Sequence, residues 1–537
     1  MNKLVLERSV IFLLGGALLL SLVPGLWFGP DGRLRRFVHL LAWTAAIALL
    51  VFNSFAREIY DDEVFYFAQA CAAQRGEVSG CLPMRFWIYD PYLALHLSPS
   101  ATLLTARISM TLLVVLAGIA VFSIARKVDG TGFTASMAGA LSIVSFANLP
   151  MGSLVPEYPA FLFLILAVWL MVAAPGAWPR PPCAFLAGLL LAMAGATSPR
   201  LVLVGVAGFI ALLLEPGKGL RLSAAFWGAA GMIAGVLPTV IYVLGKDSIA
   251  SLLYWNYTIM QRIGVVAFNE PLEFPAILAA LALAGCFFLW RARQSQQGSK
   301  TLIVLWAAAA VSAILNPMKF EYTLGPVLGL SCIAATPALS ACWSKLPRPA
   351  GHRAYSLAIG LLFGTLLLPS VSVLAEPELS RDSIEEMRSG LKLVDWLDKA
   401  ANGGPVACVA PFHPIRSPNA WRMYNVIFYC YVRDPGLNAM LDPDMAGMLR
   451  SGRAAIVQWD AWPEESGQPN ILQYLVHREF VPESEIAAFA GELKEKYRLV
   501  EWDGPLPEEF GGGRFLIRRD IPLDGEVSPL DDSLIRK

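Results

Sequence analysis

Residues 37–56 read FVHLLAWTAAIALLVFNSFA and run straight into Arg57-Glu58-Ile59-Tyr60-Asp61-Asp62-Glu63-Val64-Phe65-Tyr66. The apolar run is long enough to cross a bilayer as a helix. Three consecutive acids stand just past its end. Sunk into lipid they would cost several kcal/mol, so they belong at or above the interface. The residues from Asp61 to Gln74 are rich in Phe, Tyr and Ala. That pattern suits a short helix lying flat at the membrane surface with its acids at the N-terminal end, where the helix dipole favours them. A carboxylate held at the mouth of a membrane cavity can act as a general base or orient one. Acids at a loop start also serve simply as solvent-facing caps.

Composition bounds the rest. A mean hydropathy of +0.54, with 56% hydrophobic and 16% charged residues in 537, excludes an ordinary soluble enzyme and describes an integral membrane protein. The formal net charge is zero, which gives no footprint for nucleic acid. The eight cysteines are scattered without a CxxC pair. Cys183, Cys286, Cys332 and Cys342 sit in apolar runs as small hydrophobes. Cys71 with Cys81, and Cys408 with Cys430, are close enough in sequence to bridge, and spacing leaves the pairing open. No histidine cluster suggests a metal site.

Working outward, the first apolar run, 10–28, reads as a retained helix. Further candidate spans are 37–56, 101–125, 132–149, 157–174, 183–197, 200–214, 224–244, 272–290, 301–315, 323–343 and 354–375, about twelve in all. Basic residues fall in every second loop: Arg33, Arg35 and Arg36; Arg126 and Lys127; Arg180; Lys218 and Arg221; Arg291, Arg293 and Lys300; Lys345, Arg348 and Arg353. These loops should face the cytoplasm. Lys3 and Arg8 fall on the other side. The loops 57–100, 150–156, 198–199, 245–271 and 316–322, and the tail after 375, should then face outward. Asp61, Asp62, Glu63, Glu157, Lys319 and Glu321 all land on that outer face. A transport pathway would instead place polar groups at mid-depth in several spans.

From about residue 376 the composition turns polar. Residues 382–400 carry Ile384, Met387, Leu391, Val394 and Leu397 at helical spacing. Strands are expected at Val406–Pro411, Ala454–Trp459 and Phe515–Arg518, a second helix at 483–497, and a turn at Gly511-Gly512-Gly513. The expected organisation is a membrane part, 1–375, and a small extracytoplasmic α/β domain, 376–537.

Several outer-face residues are candidates for one cavity. Asp62 is the candidate base for an acceptor hydroxyl. Adjacent helical residues point about 100° apart, so Glu63 can share that role or bond the scaffold. Glu157 lies between Pro156 and Pro159 at the start of a span and can orient the acceptor, or be merely interfacial. Lys319, in Asn316-Pro317-Met318-Lys319-Phe320-Glu321-Tyr322, can hold a phosphate oxygen, snorkel, or pair with Glu321. Arg200, after Thr197-Ser198-Pro199, is an anion candidate or an interfacial anchor. Arg57 is a weaker candidate of the same kind. Tyr254-Trp255-Asn256-Tyr257 can stack on a sugar or belong to an aromatic belt. Tyr424, Tyr429 and Tyr431 can form a sugar platform or pack in a core.

Over roughly residues 50–345 the order of these pieces resembles the GT-C class of lipid-linked-sugar glycosyltransferases. The likeness is to the protein mannosyltransferase type and its bacterial relatives, including the aminoarabinose transferase that modifies lipid A. Asp62-Glu63 resembles the acidic pair of the first outer loop. Thr105-Ala106-Arg107-Ile108-Ser109 resembles the segment opening the next span, and Ala125-Arg126-Lys127 with Gly130 a cytoplasmic turn. Pro156-Glu157 resembles a second outer acid. Ala196-Thr197-Ser198-Pro199-Arg200 resembles a turn that usually carries lysine at the last position. Lys319 to Pro326, with Tyr322, resembles a late motif. The departures are a third acid, Asp61, and a proline-rich stretch reduced to Tyr89-Asp90-Pro91-Tyr92.

The resemblance implies a polyprenyl-phosphate-linked sugar donor, an extracytoplasmic glycan, lipid or protein acceptor, and inversion at the anomeric carbon. It implies a multi-pass protein of the bacterial inner membrane, with catalytic Asp62, Glu63 and Glu157 and donor-binding Lys319, Arg200, Tyr322 and Arg57. No cofactor is required, and a divalent metal bridging acids and phosphate is compatible with the same residues. A transporter or flippase for a lipid-linked precursor, and a non-catalytic assembly or sensor protein, are the competing readings.

Overall fold

The computed structural model describes residues 33–56, 61–75, 84–129, 132–147, 154–173, 181–214, 221–246, 276–291, 298–315, 324–345, 377–407, 416–417, 445–460, 470–477, 480–506, 513–523 and 525–535, with isolated positions 250, 253 and 258. The expected spans at 10–28 and 354–375 lie outside them.

Among the described residues the membrane part is helical, with short turns between helices. Its helices are α1 (Arg33–Ala56), α2 (Asp61–Gln74), α3 (Met84–Trp87), α4 (Asp90–Leu93), α5 (Pro99–Asp129), α6 (Gly132–Ala147), α7 (Glu157–Val172), α8 (Pro181–Thr197), α9 (Val202–Leu214, entered through a 3-10 turn at Pro199–Leu201), α10 (Arg221–Lys246), α11 (Ala276–Arg291), α12 (Ser299–Leu315) and α13 (Gly325–Lys345). Among the described residues, three helices are long and apolar enough to cross a membrane: Pro99–Val128, Leu222–Gly245 and Gly325–Cys342. Seven further apolar helices are shorter. Each coincides within a few residues with an expected span, because an apolar helix satisfies its own backbone where lipid offers no partner.

Two devices hold the bundle together. Indole N–H groups find serines on neighbouring helices: the buried Trp43 donates to Ser136 at 2.8 Å, and the half-buried Trp169 and Trp306 to Ser123 at 3.0 Å and Ser331 at 2.8 Å. Small residues let backbones touch. A Cβ on Gly231 of α10 would stand 2.0 Å from the Phe185 carbonyl oxygen of α8. The far side of α10 is turned outward, with Leu222, Phe226, Ile233, Ile241 and Leu244 exposed, as a lipid-facing stripe would be.

Chain direction sorts the helix ends. Arg126, Lys127 and Lys345 occupy last turns that point to one end. The opposite end gathers α2 to α4, the N-termini of α5, α7 and α13, and the C-termini of α1, α8 and α12, as the contacts below establish.

The tail is a small helix-and-sheet domain. Its elements are α14 (Pro377–Ala401), β1 (Val406–Ala407), α15 (Met445–Ser451), β2 (Ile456–Gln458), α16 (Ile471–His477), α17 (Ile486–Lys496), β3 (Tyr497–Trp502), β4 (Arg514–Arg518) and β5 (Val527–Pro529). The sheet order is β1-β2-β4-β3-β5, parallel between β1 and β2 and antiparallel elsewhere. Helix α14 buries Met387, Leu391, Val394 and Leu397, the stripe its spacing predicts. Trp396 packs against Trp502 and Phe515, with ring centroids 6.0 Å apart in both pairs. The expected helix over 483–497 stops at Lys496, and Tyr497 opens β3. Gly513 takes φ +63 just before β4, which glycine tolerates without strain.

Candidate functional site

The three acids fall in the first turn of α2. Glu63 points inward and is fully buried, and Arg107 on α5 is 2% exposed. The Arg107 Nε donates to both Glu63 oxygens at 3.1 Å, and one Nη adds a further bond to Oε2. The other Nη donates to the Ser54 carbonyl at 3.1 Å, at the end of α1. Ser54 and Thr111 share a hydroxyl contact of 2.8 Å directly beneath. One guanidinium therefore clips α1, α2 and α5 together. Bidentate geometry with a further bond from the third nitrogen is what makes a buried ion pair tenable. Asp62 occupies the same turn, about 100° around the helix.

Glu157 stands in the first turn of α7, after Pro156. Its carboxylate is held through Oε1, which accepts from Arg200 Nη1 at 3.2 Å and from Ser198 at 3.4 Å. Its Oε2 is buried and meets no donor among the described residues. The Arg200 side chain is 23% exposed. Its backbone carbonyl accepts from Ser312, near the end of α12. These groups, with Pro326 and Val327 of α13, line a small recess with room for about one water. Pro326 ends the segment that carries Lys319 and Tyr322.

The two clusters are joined. Tyr89 is fully buried, stacks on Tyr66 of α2 with centroids 5.7 Å apart, and donates to the Leu154 carbonyl. Leu154 lies in the turn that leads into Pro156-Glu157. Asp90 beside it accepts from Gln74 at 3.0 Å. Burial pushes the Asp90 carboxyl above the ordinary carboxylate value, against that bond.

Of the expected site residues, Glu63, Glu157 and Arg200 are described. Asp62 is placed on α2 by its backbone alone. Lys319, Tyr322 and Arg57 lie outside the described residues, as do Tyr254 to Tyr257 and Tyr424, Tyr429 and Tyr431. Glu63 and Glu157 sit at one end of the bundle, and Glu157 and Arg200, expected to serve different groups, bond each other. Cys71 carries a free thiol, and Cys408 and Cys430 lie outside the described residues. Among the described residues no three His, Cys, Asp or Glu side chains gather as a metal site. Sequence reasoning gave no role to Arg107, Tyr89, Ser198 or Ser312. A signal for Arg107 existed, since a lone cation inside an apolar span implies a buried partner.

No family model matches the sequence, and no curated protein does. Solved structures similar to the chain include the oligosaccharyltransferase of Archaeoglobus fulgidus tethered with an acceptor peptide, at 12% identity and a TM-score of 0.48, covering 94% of this chain and 76% of that one. They also include ArnT from Cupriavidus metallidurans bound to undecaprenyl phosphate, at 15% identity and a TM-score of 0.45, covering 84% of this chain and 87% of that one. The likeness is in the course of the chain. At these identities and scores it assigns neither activity nor ligand to this protein.

Proposed function

We propose that the chain is a multi-pass membrane glycosyltransferase of the GT-C type. It moves a sugar from a polyprenyl-phosphate donor to a glycan, lipid or protein hydroxyl on the extracytoplasmic side of a bacterial inner membrane. Residues 1–375, with about twelve spans, form the transferase, and 376–537 form the outer domain. The observation that carries this reading is Glu157. One oxygen is held by Arg200 and Ser198, and the other is buried without a donor among the described residues, beside a small recess at the same end of the bundle as the acid-bearing helix. A buried acceptor without a donor costs about 1–3 kcal/mol. A substrate hydroxyl seated in the recess removes that cost and is oriented by it.

The reaction is a single displacement. The acceptor oxygen attacks the anomeric carbon, the bond from that carbon to the phosphate oxygen breaks, and the acceptor proton passes to Asp62. Glu63, locked on Arg107, fixes the turn that carries Asp62. A guanidinium has five N–H donors, so Arg200 can hold Glu157 and a phosphate oxygen together. Lys319 supplies the second cation, with Tyr322 and Arg57 at the margin. These charges offset the negative charge that builds on the leaving phosphate, which then needs no general acid.

The test is to incubate the purified protein with a panel of polyprenyl-phosphate sugars and identify the product by mass. Asp62→Asn should lower turnover about 10²–10⁴-fold with unchanged thermal stability. Near-normal turnover removes Asp62 from the base role. Passage of the donor across vesicles with no new glycosidic bond supports the transporter reading instead.

A further inference from the structure

Polar contacts bind the tail to the outer end of the bundle, and they converge on the two helices that carry the Glu63–Arg107 pair. Asp395 of α14 accepts from the Ser100 backbone N–H at 2.9 Å and from its hydroxyl at 2.6 Å. Ser100 is in the first turn of α5, where backbone N–H groups have no partner within the helix. Ser98 accepts from the next N–H, that of Ala101, at 3.3 Å. The cap of α5 is therefore shared between its own serine and a carboxylate nearly three hundred positions away. Ser100 and Arg107 lie about two turns apart, roughly 10 Å along one face of α5.

The second attachment is at the far end of α2. Arg75 donates to the carbonyls of Arg416 at 3.1 Å and Ser417 at 3.3 Å. Arg416 in turn donates its guanidinium to the Leu97 carbonyl and its backbone N–H to Asp398 at 3.1 Å. Asp398 stands one turn beyond Asp395 on α14, so a single helix of the tail serves both attachments.

We propose that Asp395 and Arg416 are positioning residues: the tail braces α2 at its C-terminal end and α5 at its N-terminal end, and so sets the approach of Glu63 to Arg107. A tail that caps a membrane helix cannot swing away without stripping that helix of hydrogen bonds. It is a fixed strut for the acid helix and not a mobile lid.

Cys71 reports on the brace without any substrate. It is 8% exposed, and its carbonyl accepts from the Arg75 N–H at 3.3 Å. Burial pushes its thiol up to about 11, with the Arg75 and Arg416 charges opposing. The experiment uses the full chain in nanodiscs, treats it with a maleimide near neutral pH, and follows the Cys71 peptide by mass. Asp395→Ala should speed Cys71 labelling about fivefold or more, the effect of losing one helix cap on local opening, and Arg416→Ala should speed it by less, since it also removes a charge that favours the thiolate. Asp395→Asn, which caps as well as aspartate, should stay near wild type. Unchanged labelling in both alanine variants overturns the brace.

A Ser100→Cys, Asp395→Cys double variant guards against misfolding of the alanine variants. Oxidised, it should join and label Cys71 slowly; reduced, it should label fast. Failure to join, or equal rates in both states, overturns the proposal. The consequence for turnover rests on the transfer reading above: the alanine variants should lower kcat and leave the donor KM nearly unchanged. Labelling needs no donor, so an inactive protein with a responsive Cys71 sinks the transfer reading and not the brace.

Discussion

Arg107 is the residue on which the end of the bundle that carries α2 turns. It is the largest charged side chain fully enclosed among the described residues, and its bonds tie its own helix to two others. Removing one member of a buried pair strands the other. Glu63→Ala should therefore cost about 3–5 kcal/mol of stability, read as a fall in Tm in detergent, and Glu63→Leu with Arg107→Met should recover most of it. Glu157→Gln has the same shape without the charge. It should leave stability within about 1 kcal/mol and lower kcat/KM by about 10–100-fold, the worth of a hydrogen bond to a charged group. Asp62, Glu63, Glu157 and Arg200 were legible as membrane-edge polar groups because charge is rare in an apolar sequence. Their pairing was not. Glu63 and Arg107 are 44 positions apart, and Glu157 and Arg200 are 43 apart, and nothing local records either contact.

Among the elements, α14 links sheet and bundle. Its Trp396 fills the space between Trp502 and Phe515, so Trp396→Ala should destabilise the tail by about 3–5 kcal/mol, measurable by urea unfolding followed by tail-tryptophan fluorescence. Asp398 on the same helix has its carboxyl raised above the ordinary 3.8 by burial, with the Arg416 N–H opposing. The folded tail thus holds that proton more tightly than the unfolded one. The stabilisation is complete below 3.8 and is lost as pH rises through the raised folded value. Thermal unfolding against pH should show wild type losing stability relative to Asp398→Asn as pH climbs through that window. Helix α14 was visible in advance from its apolar stripe. Strand β3 was not, since its first residue follows α17 without a turn residue between them and its central place in the sheet blurs the alternation expected of a half-exposed strand. Strand β5 is three residues long and carries Pro529, a combination that fits only a sheet edge.

In the whole molecule, polar chemistry and the tail share one end of a bundle whose basic helix ends point the other way. Deleting 382–537 should expose Cys71 and abolish transfer to the natural acceptor; full activity in the truncated protein would argue against a role for the tail at the site. The membrane class, the span positions, the alternation of basic loops and the polar tail follow from the sequence alone. Each depends on the free energy of moving a side chain between water and lipid, which is set residue by residue. The partner of each buried charge, the open oxygen of Glu157 and the capping of α5 by Asp395 were decided only by tertiary packing. They depend on which distant side chains arrive within hydrogen-bond reach, and that is fixed by how helices stack and not by any neighbouring residue.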